Sequence, residues 1–187
     1  MGWTGYHASY YDKNGKVDRK AECDSYWNSE NYRVLKSCMK GNVYYAAVEN
    51  LISNIQTVFA AIIVTSVNNK DYYNFAYKPM DESYGPHYYD CPSSILELLT
   101  RTDSEYALEW REKCRKKQNS RKVLNNLPIG AKISFQRSTG DDNSETIVLV
   151  KYPPGHQFRN PWWKVDGEYC YYQKKRIPME FEVVKEE

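Results

Sequence analysis

The chain has 187 residues, 41% of them apolar, with 18 Tyr, 5 Trp and a formal net charge of +2. That length serves one domain, or one domain with a small appended module, and buries a core without disulfide or metal staples. The near-neutral charge excludes a global field that attracts nucleic acid, and the longest apolar run, Val58–Val64, is far short of a membrane span.

Five cysteines at 23, 38, 91, 114 and 170 are odd in number and contain no CxxC pair. Scattered ligands do not make a zinc site, so free thiols in a reducing cytoplasm are expected. Met1-Gly2-Trp3-Thr4 lacks a basic region followed by an apolar stretch, so no signal peptide is expected.

In chain order, Trp3 to Tyr11 alternates loosely and predicts a strand, followed by an Asn14-Gly15 turn. Asp18 is placed to cap a short helix through about Trp27. Tyr32–Met39 and Val43–Val48, joined at Gly41-Asn42, predict a hairpin. Thr57–Val67 is rich in β-branched residues and predicts a central strand buried on both faces. After the Asn68–Asp71 turn, Tyr72–Tyr77 predicts a returning strand and Pro79–Pro92 a long loop.

Ser93 or Ser94 is placed to cap Ile95–Leu99, and Asp103 or Ser104 to cap a helix from Glu105 to about Asn119, with Trp110 facing the core. Its last two turns are basic, which complements a helix C-terminus. Beyond Leu127-Pro128-Ile129-Gly130, five short strands are predicted: Lys132–Arg137, Thr146–Lys151, Trp162–Val165, Tyr169–Gln173 and Glu180–Val184. The reading is α+β: an antiparallel sheet with two or three helices over 1–126, then a small SH3-like β-barrel over 127–187.

Four segments offer chemistry. The loop Lys78–Asp90 supplies Asp81, Glu82, Asp90 and His87, and carboxylates of this kind hold Mg²⁺ or act as general bases. If the chain cleaves RNA, these three carboxylates are the Mg²⁺ ligands and Lys78 sits near the scissile phosphate; the blander reading is solvated loop charge. Arg111 to Lys122 carries seven Lys/Arg and one Glu, so Arg111, Arg115, Lys116, Lys117, Arg121 and Lys122 are candidate phosphate contacts, or else a solvated helix tail. Arg19 or Lys20 is a candidate to clamp phosphate, with Asp18 or Glu22 to hold a metal; the blander reading is a helix cap and surface ion pairs. Trp162 and Trp163 stack bases or dock a protein, or else one fills the core while its neighbour points outward.

No Walker-type loop, Rossmann glycine pattern, G-x-S-x-G or H-E-x-x-H is present, and His7, His87 and His156 share no helical spacing. Nucleotide-driven motors, hydride chemistry and zinc hydrolysis are therefore unsupported, and no nucleotide cofactor or membrane partner is expected.

Met1-Gly2-Trp3-Thr4-Gly5-Tyr6-His7, Val17-Asp18-Arg19-Lys20-Ala21-Glu22-Cys23-Asp24, Lys70-Asp71-Tyr72-Tyr73-Asn74-Phe75, Tyr88-Tyr89-Asp90-Cys91-Pro92 and Glu105-Tyr106-Ala107-Leu108-Glu109-Trp110-Arg111 together resemble a family of proteins carried by phages, plasmids and conjugative elements of Gram-positive bacteria. The likeness runs through nearly the whole chain. It departs at His87, where relatives often carry a small residue or Cys, which weakens His87 as a catalyst, and between Leu51 and Thr57, where relatives often carry an insertion.

Such accessory proteins commonly disable host defence. The resemblance implies an anti-CRISPR protein in the host bacterial cytoplasm that inhibits a host RNA-guided nuclease of Cas9 type, binding the nuclease or its guide RNA and, in one version, cleaving the guide. The alternatives are a non-catalytic single-stranded nucleic-acid binding protein of phage replication or conjugation, and a hydrolase with a deep pocket.

Overall fold

A computed structural model describes residues 2–52, 56–67, 74–140, 143–154, 162–165 and 171–184, without the side chains of 139 and 140. The expected Asn68–Asp71 turn, Tyr72, the Arg159–Pro161 segment and Cys170 lie outside them. The described residues form an α+β protein with two antiparallel sheets and three helices. The chain divides into two compact units, 1–118 and 119–187.

The first unit is built on five strands: β1 (Thr4–Tyr6), β2 (Tyr32–Lys40), β3 (Val43–Asn50), β4 (Thr57–Ser66) and β5 (Phe75–Asp81), in the order β1-β5-β4-β3-β2. The apolar Val58–Val64 run therefore occupies the middle of the sheet. Alternate residues serve two cores. Tyr45, Ala47, Ala60 and Ile62 pack with Ile95, Leu96, Trp110 and Cys114 on one face. Tyr44, Ala46, Val48, Ala61 and Ile63 pack with Cys23 and Phe75 on the other. With both faces covered, β3 and β4 need apolar residues at every position rather than at every second one.

Helix α1 (Arg19–Trp27) starts where Asp18 accepts hydrogen bonds from the amides of Lys20 and Ala21. Helix α2 (Ser93–Leu96) is a single turn whose cap position is Pro92, with no side-chain cap bond, in place of the expected serine cap. Helix α3 (Glu105–Asn126) is capped by Ser104, whose Oγ accepts from the Ala107 amide at 3.4 Å.

Several boundaries differ from expectation: the first strand is Thr4–Tyr6 rather than Trp3–Tyr11, α2 ends at Leu96 rather than Leu99, and Tyr171, Tyr172 and Gln173 belong to no named strand. Strand β5 runs on through Lys78, Pro79, Met80 and Asp81, so the long loop begins later. Proline is tolerated there because β1 pairs only with Phe75–Tyr77, leaving the outer edge at Pro79 without a partner strand. Helix α3 continues to Asn126, so its basic run lies mid-helix. The cation at its C-terminus comes instead from Lys151, whose ammonium donates to the carbonyls of Leu124 (3.2 Å), Asn125 (2.9 Å) and Leu127.

The second unit pairs β6 (Lys132–Gly140), β7 (Asn143–Lys151), β8 (Trp162–Lys164) and β9 (Glu182–Val184) in the order β8-β7-β6-β9. Among the described residues this sheet is open, with β8 and β9 at its edges. Ile133, Phe135, Ile147 and Leu149 alternate inward and pack with Leu124, Trp162 and Ile177.

Candidate functional site

The residues following β5 are organised by a shortage of hydrogen-bond partners on β4. Pairing of β4 with β5 starts only at Ala61↔Asp81, so the outer edge of Val58–Ala60 has no strand beside it. Buried amides need partners, and they receive them from side chains. The Val58 amide donates to Thr100 Oγ1 at 3.0 Å, and the Ala60 amide to Glu82 Oε1 at 3.1 Å.

Glu82 is 3% exposed and Arg111 6%. Arg111 Nε donates to Glu82 Oε2 and Nη2 to Oε1, both at 2.6 Å, while Nη1 donates to the Thr100 carbonyl at 2.7 Å. This is a buried, two-pronged ion pair that ties α3 to the central strand.

Asp81 caps a single 3-10 turn (Glu82–Tyr84), accepting from the Ser83 amide at 2.8 Å and from the Ser83 hydroxyl. Gly85 ends the turn at φ 59°, in the left-handed region that favours glycine. The following segment is stapled along α3. Trp110 Nε1 donates to the Tyr88 carbonyl at 3.0 Å, Lys117 Nζ to Asp90 Oδ2 at 2.8 Å, and Gln118 Nε2 to the Cys91 carbonyl at 2.7 Å.

The expected Mg²⁺ donors are therefore used otherwise. Glu82 is saturated by Arg111 and Ala60, Asp81 holds its turn and Asp90 holds Lys117. Lys78 is half-buried within β5, opposite Val64. Among the described residues no three His, Cys, Asp or Glu side chains form a group able to hold a metal ion. Asp81, Glu82 and Asp90 do not fit Mg²⁺, because freeing Glu82 would strand a buried guanidinium.

What this segment does create is a cleft of about 390 Å³ between the turn and the first half of α3. Tyr84, Tyr89, Tyr106 and Trp110 wall it, with His87, Glu109 and Lys113 among its lining residues. Tyr84 and Tyr106 are each 65% exposed. Lys113 Nζ lies 2.7 Å from Glu109 Oε1 and 5.7 Å from the centre of the Tyr89 ring. Their hydrogen bond holds Glu109 below the usual carboxylate range and Lys113 above the usual ammonium range. His87 Nδ1 is 3.3 Å from the Tyr89 hydroxyl. The arrangement offers aromatic area, one cation and one anion, which suits binding a mixed polar and apolar group.

Of the other sequence candidates, Lys20 pairs with Asp24 on its own helix at 2.6 Å, and Arg19 Nη1 lies 3.5 Å from Thr65 Oγ1 of β4. Arg111 is buried, and Lys116 pairs with Glu112 at 3.3 Å. Arg115 and Lys122 are exposed. Trp162 is 1% exposed and fills the second core, which removes it as a stacking platform. Trp163 is half-buried, edge-on to Tyr152 (ring centres 6.4 Å apart) and Tyr171 (5.9 Å).

Sequence reasoning passed over the aromatic cleft, whose signal was the tyrosine content of 84–89 and 106. It also passed over Lys174-Lys175-Arg176, hidden by the balanced charge of the C-terminal third. No helix among the described residues is long and apolar enough to cross a membrane. Comparison with protein-family models, with curated proteins and with solved structures finds no match to this chain.

Proposed function

We propose that this protein acts by binding rather than by bond cleavage, as a mobile-element-encoded anti-CRISPR protein that engages a host RNA-guided nuclease of Cas9 type, or its guide RNA, in the bacterial cytoplasm. The observation that carries the binding half is the contrast within one segment. Its carboxylates are consumed by folding, while its tyrosines wall an accessible cleft. Tyrosine-rich clefts give large contact area at low entropic cost and form the energetic centre of many protein interfaces. The nuclease as target rests on the family resemblance. We read the second unit as an SH3-like module in which the chain at Tyr171 and Tyr172 continues the curl begun by β8; the Trp163–Tyr171 bridge and the Tyr172 amide bond to the Trp162 carbonyl at 2.8 Å support this.

The test mixes purified protein with a Cas9-type nuclease, guide RNA and target DNA, and reads DNA cleavage and guide length on gels. The expected result is blocked DNA cleavage with an intact guide. Tyr84→Ala with Tyr106→Ala, both exposed and outside the core, is expected to weaken inhibition by about 30-fold or more, the effect of losing an interface anchor of about 2 kcal/mol. A shortened guide overturns binding as the mechanism. Normal DNA cleavage with an intact guide overturns the nuclease as target and favours the single-stranded nucleic-acid accessory protein.

A further inference from the structure

The aromatic cleft carries, besides its rings, one acid and one base set side by side. Tyr106, Glu109, Trp110 and Lys113 fall at i, i+3, i+4 and i+7 on α3 and so share one face of the helix. Tyr84 and Tyr89 line the cleft from the preceding segment. Both walls are fixed beforehand: Arg111 holds the 3-10 turn through Glu82, Trp110 holds the Tyr88 carbonyl, and Lys117 holds Asp90. A ligand that enters therefore has little of the chain to order.

Glu109 and Lys113 set what that ligand must offer. The carboxylate only accepts, on two oxygens, and the ammonium only donates, through three protons. Lys113 Nζ stands 2.7 Å from Glu109 Oε1, so the two functions adjoin. Their hydrogen bond keeps Glu109 ionised and Lys113 charged at neutral pH. A group lying along both needs donors for Glu109 directly beside an acceptor for Lys113. An arginine has no acceptor and meets the Lys113 charge; a carboxylate has no donor and meets that of Glu109. The side-chain amide of Asn or Gln has both but brings no ring to the tyrosines.

We propose that the cleft binds an unpaired guanine base of single-stranded RNA, stacked on its tyrosines, with Glu109 accepting from N1–H and the 2-amino group and Lys113 donating to O6. Guanine alone among the four bases sets two adjacent donors next to an acceptor on its Watson–Crick edge. Adenine and cytosine engage Glu109 through one amino group, and uracil through one N–H. The exposed Tyr84 and Tyr106 supply ring area of the kind on which unpaired bases stack. A volume of about 390 Å³ lies within the range of small-ligand sites. The inference deepens the binding reading above and rests on it for the choice of RNA over a protein partner.

Its test uses the full chain, no nuclease, and two fluorescein-labelled single-stranded RNAs compared by anisotropy: a run of uridines with one central guanosine, and the same strand with adenosine there. The guanosine strand is expected to bind about tenfold more tightly or better, the discrimination of one bidentate base contact. Inosine at that position, which keeps N1–H and O6 but lacks the amino group, should fall between. Glu109→Gln, at an exposed position, should erase the preference. Tyr84→Ala should weaken both strands alike, by about tenfold, since stacking does not read sequence. Glu112→Gln, whose side chain pairs with Lys116 outside the cleft, should change neither strand.

Equal affinity for the guanosine and adenosine strands overturns the assignment, as does a preference that survives in Glu109→Gln with its melting temperature intact. Absence of RNA binding overturns it too; where Glu109→Gln then also loses nuclease inhibition, a protein side chain is the occupant. Guanosine monophosphate displacing the RNA mole for mole overturns the strand in favour of a free nucleotide. Guanine-selective binding without nuclease inhibition sustains this inference and removes the nuclease as target, so the two readings fail separately.

Discussion

Glu82→Gln is the most direct perturbation of the reasoning about the site. The substitution keeps the shape of the side chain and removes its charge, leaving the Arg111 guanidinium buried with only the Thr100 carbonyl and a neutral amide oxygen for partners. Breaking one side of a buried pair costs about 3–5 kcal/mol, much of it the penalty of an uncompensated charge. For a chain of this size each kcal/mol lowers the melting temperature by about 2–4 °C, so a fall of roughly 6–20 °C is expected by scanning calorimetry. The double substitution Glu82→Met with Arg111→Met removes both charges and should recover part of that loss, the remainder being the Ala60 amide and the Thr100 carbonyl left without their side-chain partners. The comparison separates a structural pair from a catalytic one. If Glu82→Gln melts within about 2 °C of the parent, less than one kcal/mol, the pair does not hold α3 to β4 and Glu82 returns as a metal ligand. If the single substitution melts normally and only a Mg²⁺-dependent guide cleavage is lost, the binding reading falls with it.

Two further expectations follow from the same structure. Burial first, then the neighbouring Asp24 and Glu22, pushes the Cys23 thiol up to about 12, and burial first likewise pushes Cys114 up to about 12. A thiol raised in the folded state stays protonated where the unfolded chain ionises, so stability is complete below about pH 8.5 and declines as pH climbs toward 12. Melting at about pH 10 should therefore lie below melting at about pH 8, Cys23→Ala should shrink the difference, and an aromatic disulfide reagent should react with Cys23 and Cys114 only on unfolding; fast native-state labelling refutes the burial. Gly85→Ala places a Cβ at φ 59° and 3.4 Å from Tyr106 Cδ1, so it should cost roughly 1–2 kcal/mol in denaturant unfolding, with Gly85→Asn recovering part. Alanine as stable as glycine there would show that the turn is not held in the left-handed region.

Much of the framework was legible in the chain. Asp18 as a cap, the Tyr32–Val48 hairpin, the central Thr57–Ser66 strand and the inward face of Trp110 all follow from local chemistry and periodicity, which act over a few residues and leave a pattern in them. The candidate site was not legible in this way. Glu82 sits in a polar, turn-rich stretch and reads as solvated charge. Arg111 lies in a basic run and reads as a phosphate contact.

Both are buried because β5 pairs with β4 only from Asp81 onward and leaves the Ala60 amide in need of an acceptor. That deficit is a property of strand register, 22 residues away in sequence, and no local pattern records it. The role of Lys151 at the end of α3 went unread for a related reason: a count of charges along the chain weighs each lysine equally. Composition and periodicity determined an α+β chain with a two-faced central strand and no membrane-length helix. Which acids and bases meet, as Glu82 meets Arg111 and Asp90 meets Lys117, was decided by the tertiary structure, because hydrogen bonds and ion pairs form between neighbours in space.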